Sequence, residues 1–213
     1  LDVISLILEG KCAGLEKTLL ATDAMKGFEK KYKSFIKEVC SKAGIPVSWQ
    51  NAFNISVSFR KEEDYPGSEP SWADKDLLKQ GIGYYYEVLE LLLLQDEVKD
   101  LSAGWLLQET VQAIDDFLHK RISRKLGGYS MMPGQLKALF LLLIDREKGL
   151  LDGEKYPIKF PDLNGFITVE LHQLQGGDMN IKVFEGDHTH EPSEVSVKNC
   201  ATPCTFEKLE AYR

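Results

Sequence analysis

The sequence predicts an α/β protein on three grounds. Apolar residues return at three- and four-residue steps through the first two thirds of the chain. A β-favouring run stops abruptly at a helix start around Met131–Pro133, and the last third alternates apolar and polar residues on both sides of a glycine turn. The expected order is helices, then a strand-to-helix unit, then an antiparallel ribbon.

Taken in order, VISLIL at 3–8 reads as a buried strand. Thr22 can cap a helix in which Phe28, Tyr32, Phe35, Ile36 and Val39 share one face, ending before Gly44. From Ile45 to Pro70, short β-like pieces such as ISVSF stand among prolines and charges, so an irregular connection is expected. Ser71 opens a second helical region with Leu78, Tyr85, Val88, Leu89 and Leu92 on an apolar face, despite Gly81 and Gly83. A third helix is expected over about 101–121, with Leu107, Val111, Ile114, Phe117 and Leu118 inward. GGYS then reads as a short strand, and Pro133 opens an apolar helix to Ile144, in the turn where a missing N–H costs nothing. GFITVELHQL and MNIKVFEG flank Gln175-Gly176-Gly177-Asp178 as a hairpin; a strand over Glu194–Lys198 and a helix over Thr205–Tyr212 follow.

Composition excludes several classes. A chain of 213 residues with net charge −7 lacks the basic footprint of a duplex nucleic-acid binder, and Lys30, Lys31 and Lys33 read as one solvated helix face. No apolar run reaches the roughly 18–20 residues of a membrane span. LDVISLILEG lacks the basic start and cleavage site of a signal peptide, so the numbering is expected to begin at a mature or processed terminus. Cys200 and Cys204, in CATPC, are unlike a zinc knuckle and read as a small disulfide loop, which implies an oxidising, secreted or extracellular setting. Asn54-Ile55-Ser56 is a glycosylation acceptor triplet.

Candidate chemistry is sparse. His188 and His190 have the spacing of a metal pair but no third ligand, and no metal or cofactor is expected. Asp115 and Asp116 are adjacent on a helix, so they are expected to face different directions in solvent. GIGYYY at 81–86 lacks the lysine of a phosphate loop, and Tyr84–Tyr86 read as core and interface. Cys40 is either a free buried thiol or the partner of Cys12.

Several words resemble the histidine acid phosphatases, the branch typified by prostatic and lysosomal acid phosphatase. They are the spacing from Cys12 to FEKKYKSFIKEV, then PSWADKD at 70–76, LLQETVQAIDDFL, GYS at 128–130 followed by GLL at 149–151, VELHQ, and HEP at 190–192 leading to the C-x₃-C pair. The resemblance covers residues 10–213. It implies a three-layer α/β sandwich with a mainly parallel sheet, truncated at its N-terminus, in one domain over 1–213: residues 12–70 as part of a helical cap and 71–213 as part of the core. It also implies the tight Cys200–Cys204 disulfide, and a partner for Cys12 beyond the last residue.

Activity in that family runs through a phosphohistidine. An RHGxRxP histidine attacks phosphorus, arginines hold the phosphoryl oxygens, and an aspartate in a Y-S-x-H-D motif protonates the leaving group. Here Tyr129 and Ser130 match that second motif and Met131 takes its variable place. Met132 and Pro133, however, stand where histidine and aspartate belong, and no Arg-His-Gly occurs. Loss of one electrostatic donor costs roughly 2.7–4 kcal/mol of transition-state stabilisation; loss of all of them leaves no mechanism.

LDVISLILEGKC either matches the segment before the cap cysteine, with the N-terminal third absent, or is the RHG strand eroded to Leu8-Glu9-Gly10. Unbroken spacing to Cys12 favours the first. The expected function is therefore that of an inactive, secreted family member that binds or supports. Its partners would be a second copy of itself and an apolar small molecule near Met131 and Met132, whose thioethers otherwise fill the vacated site. The alternative is one piece of an acid phosphatase whose N-terminal part lies on another chain. A storage, colour or venom constituent is a third reading.

Overall fold

The computed structural model describes residues 3–64, 67, 69–144, 165–187, 191–200 and 203–210. They divide into two compact units, Leu1–Val98 and Lys99–Arg213. The helix beginning at Lys75 packs against the helices before it.

Described residues of the first unit form helices: α1 (Val3–Leu8), α2 (Ala13–Ala21), α3 (Asp23–Ala43), α4 (Trp49–Asp64) and α5 (Lys75–Leu93). α3 follows the sequence closely. Thr22 Oγ1 accepts from the Met25 N–H at 3.2 Å, and Gly44 closes the helix with φ +69°, a left-handed position that costs glycine nothing. Between those caps Met25, Phe28, Tyr32, Phe35, Ile36, Val39 and Cys40 are buried. Thr22→Ala is expected to lower stability by about 1 kcal/mol, seen as a reduced urea midpoint; an unchanged midpoint would mean that this cap contributes nothing.

Two expectations fail here. VISLIL is helix α1, with Ile4 and Ile7 buried at a three-residue step. The segment expected to be irregular contains α4, with Trp49, Ala52, Phe53, Ser56 and Phe59 buried along one side. The second helical region begins at Lys75, later than Ser71, because Asp74 supplies the cap: its Oδ1 accepts from the Leu77 N–H at 2.8 Å.

Tyr84 stands at the centre of the helical core. Its ring centroid lies 5.0 Å from Phe28, 5.0 Å from Tyr32 and 5.1 Å from Phe35, and its hydroxyl donates to the Trp49 carbonyl at 2.9 Å. Burial pushes this phenol well above the ordinary tyrosine pKa, so it remains a donor. Tyr85 stacks on Phe53 at 5.3 Å, and Phe59 lies directly over Gly81. Glu87 accepts from the Tyr32 hydroxyl at 2.8 Å and from Lys31 Nζ at 2.5 Å. Cys12 and Cys40 are both free thiols, and buried Cys40 faces the Ser48 carbonyl.

α6 (Asp96–Lys99) lies at the boundary between the units. In the second unit a π-turn (Asp100–Gly104) leads into α7 (Trp105–Leu118), and α8 (Pro133–Leu143) packs on the π-turn. The expected inward face holds at Leu107 and Val111, joined by Leu106, whereas Ile114, Phe117 and Leu118 are half-buried.

Its sheet is antiparallel. β1 (Phe166–Gln173) and β2 (Met179–Gly186) form the expected hairpin, running from Phe166↔Gly186 to Gln173↔Met179. Gly176 and Gly177 take φ of +121° and +100° in the turn, conformations that exclude most side chains. β3 (Ser193–Val195) and β4 (Cys204–Thr205) pair with β2, and α9 (Phe206–Glu210) covers it with Phe206 and Leu209. Ile144 and Val197 form an isolated bridge. Cys200 and Cys204 lie at disulfide distance, 2.03 Å between sulfurs.

The composition is thus mixed helix and sheet. Among the described residues no strand pair is parallel, in contrast to the mainly parallel sheet that the resemblance implies.

Candidate functional site

The strand expected at residues 127–130 has no strand partner among the described residues. Residues 122–132 run without turn or bend and lie outside any sheet, and apart from half-buried Ile122 and Met131 they are exposed. Leu126 is 85% exposed and Met132 59%, so Met132 fills no vacated cavity. At the far end of this arm the helix starts as expected. Pro133 is its first residue, and the Gln135 side chain accepts from the Met132 N–H at 3.2 Å.

Side contacts hold the arm along the second unit. The Tyr129 hydroxyl donates to Glu109 Oε2 at 2.9 Å, and its ring meets Trp105 edge-on at 6.3 Å. The bonded Glu109 carboxylate, aided by slight burial, raises the Tyr129 pKa above its ordinary value. Trp105 is itself 49% exposed and follows a π-turn that also leaves Leu101 in solvent. Ser130 is exposed beside Tyr129. Among the described residues, Glu109 is the carboxylate bonded to this open surface of positions 129–133, and Arg124 lies near enough to act on Tyr129.

Arg121 anchors the near end. Its Nε donates to Asp116 Oδ1 at 2.7 Å, and its guanidinium also reaches Asp115. The two aspartates, expected to diverge, converge because the chain folds back past the helix end: the Arg121 N–H bonds the Asp116 carbonyl at 2.8 Å. The bonded Asp116 and Asp115 raise the Arg121 pKa further, so this clamp stays charged. His119 Nδ1 lies 2.9 Å from Asp115 Oδ1. An open cleft of about 570 Å³ beside this clamp is lined by Phe117, Leu118, Lys120, Arg121, Ile122, Ser123 and Met179, away from residues 129–133.

The remaining candidates are scattered. His172 Nε2 sits 2.7 Å from Glu170 on β1; His188 and His190 lie outside the described residues. Among the described residues no group of three or more potential metal ligands converges. Asn54 is exposed on α4, whereas Ser56 of the same triplet is buried and its hydroxyl donates to the Ala52 carbonyl at 2.8 Å. No helix among the described residues is long and apolar enough to cross a membrane.

Sequence reasoning missed Trp105, Glu109 and Arg121. A usable signal for the first two was their four-residue spacing, which places both on the α7 face that Tyr129 contacts.

Comparison with known proteins points to one class. No family model matches the chain. The chain is similar to "Putative acid phosphatase 5" of Caenorhabditis elegans, 27% identical over 144 residues, which cover 66% of this chain and 32% of that protein. The likeness is distant and supports the acid phosphatases as the family, and nothing finer. The matched stretch thus spans about a third of the relative's length.

Proposed function

We propose that this chain is a catalytically inactive, acid-phosphatase-like protein of an extracellular setting, with a binding or structural role. One observation carries the reading: the junction that begins α8 is occupied by Met132 and Pro133 on an exposed arm. A thioether and a pyrrolidine ring neither donate a proton to a leaving alkoxide nor hold a phosphoryl oxygen. The cysteine pair at disulfide distance fits an oxidising compartment. An apolar small molecule bound at Met131 and Met132 would lie on an open surface, with Leu126 and Tyr129 as neighbours.

The expected result is no hydrolysis of an aryl phosphate at pH 5 above the buffer rate. Turnover sensitive to tartrate would overturn the reading. A second reading draws on the short match, 32% of the relative's length: the chain is one piece of an acid phosphatase whose RHG-bearing part lies elsewhere. Under that reading, activity appears only when a polypeptide carrying that motif accompanies the chain, and it lacks the contribution of the acid replaced at Pro133.

A further inference from the structure

The main chain of the arm is bare. From Ser123 to Met131 no backbone N–H or C=O has a hydrogen-bond partner among the described residues, and Ser123 to Ser130 are all exposed. Proteases bind substrates as extended strands, taking affinity from main-chain hydrogen bonds and selectivity from side-chain pockets. A helix or a paired strand must open locally before it can be bound in that way. The arm needs no such opening, and exposed segments of this kind are where nicking concentrates.

Two cations mark the place. Arg124 and Lys125 are exposed, and neither side chain has a hydrogen-bond or ion-pair partner among the described residues. A cation before an open peptide bond is what a serine protease with an acidic specificity pocket selects. The other lysines and arginines among the described residues lie in helices or strands, or carry a bonded N–H: Lys11 to the Leu6 carbonyl, Lys120 to Phe117, Arg121 to Asp116 and Lys198 to Leu143.

Within the pair, the geometry favours the second bond. A protease seated over Lys125–Leu126 would span Ser123 to Gly128, all with bare main chain. Seated one residue earlier it would need Ile122, which is half-buried and whose N–H is bonded to the Asp116 carbonyl at 3.3 Å. On the far side, a Cβ placed at Gly127 or Gly128 would meet nothing within 4 Å, so the approach is clear.

We propose that residues 123–128 are the recognition segment of a trypsin-like serine protease, which cuts between Lys125 and Leu126. The amide C–N bond breaks; water gives its hydroxyl to the Lys125 carbonyl carbon and its remaining proton to the Leu126 nitrogen. The product is two pieces held together, because Tyr129 after the cut bonds Glu109 before it, and α8 packs on the π-turn. No disulfide spans the cut: Cys200 and Cys204 both follow it, and Cys12 and Cys40 are free thiols. The encounter with such a protease rests on the extracellular reading above.

Brief digestion of the 213-residue chain with a trace of trypsin, read by intact mass without reductant, checks this. The first products expected are residues 1–125 and 126–213, still eluting together in native buffer. Arg124→Gln/Lys125→Gln should lose this cut and keep its melting temperature, since both side chains lie in solvent. Protein taken from its natural source should carry Leu126 as a second amino terminus. A first cut at another bond overturns the recognition segment, and pieces that part in native buffer overturn the two-piece form. The expected cut by trypsin, with natural material left whole, overturns the extracellular encounter instead.

Discussion

Tyr84→Ala is expected to destabilise the helical unit by about 3–5 kcal/mol, the cost of emptying a large aromatic site that cannot collapse. Tyr84 is fully buried and meets Phe28, Tyr32 and Phe35. These rings come from a different helix, so their backbones cannot close the hole together. Total stability of such a unit is on the order of 5–15 kcal/mol, so the variant should be substantially unfolded in mild denaturant. Tyr84→Phe keeps the ring and loses only the bond to the Trp49 carbonyl, a net cost of about 1 kcal/mol. Urea titration gives the ordering; equal midpoints for the two variants would show that the ring cluster is not the keystone.

Gly81→Ala should destabilise as well, although alanine is the better helix former by about 1 kcal/mol. A Cβ at residue 81 would collide with Phe59 Cδ2 and lie 3.0 Å from Cε2 of the same ring and 3.4 Å from Phe35 Cζ. Phe59 is fully buried on α4, so the ring has nowhere to swing. Overpacking of this kind costs about 1–3 kcal/mol, which exceeds the propensity gain at most of its range. Trimming Phe59 to leucine in the same chain should recover part of the loss, measured by a double-mutant cycle. A more stable Gly81→Ala protein would mean that α4 and α5 are not in close contact at this point.

Features written into adjacent residues were legible in the sequence. Thr22 and Gly44 bracket α3, Pro133 opens α8, and Gly176-Gly177 turn the hairpin, each through a local conformational preference. Features set by distant partners were not. VISLIL is six apolar residues, too short for periodicity to separate a strand from a buried helix. In α4 the helical spacing was present at Trp49, Phe53, Ser56 and Phe59, but flanking prolines and the β-branched ISVSF hid it. Residues 127–130 have strand character without a strand beside them among the described residues, and a sequence does not reveal whether a neighbour exists. Of the candidate site, the substitution at Met132 and Pro133 was visible; the aspartate pair closing on Arg121 was not, since it depends on how the chain turns after α7.

The exposed ring of Trp105 gives the molecule a built-in optical division of labour. Three indoles are present: Trp49 is enclosed among helices of the first unit, Trp72 is partly covered there, and Trp105 stands half in water in the second. Emission from the enclosed ring is shifted to the blue and shielded from iodide, while that of Trp105 is red and readily quenched. Selective quenching therefore distinguishes the signal of Trp105 from that of Trp49 without any label being attached.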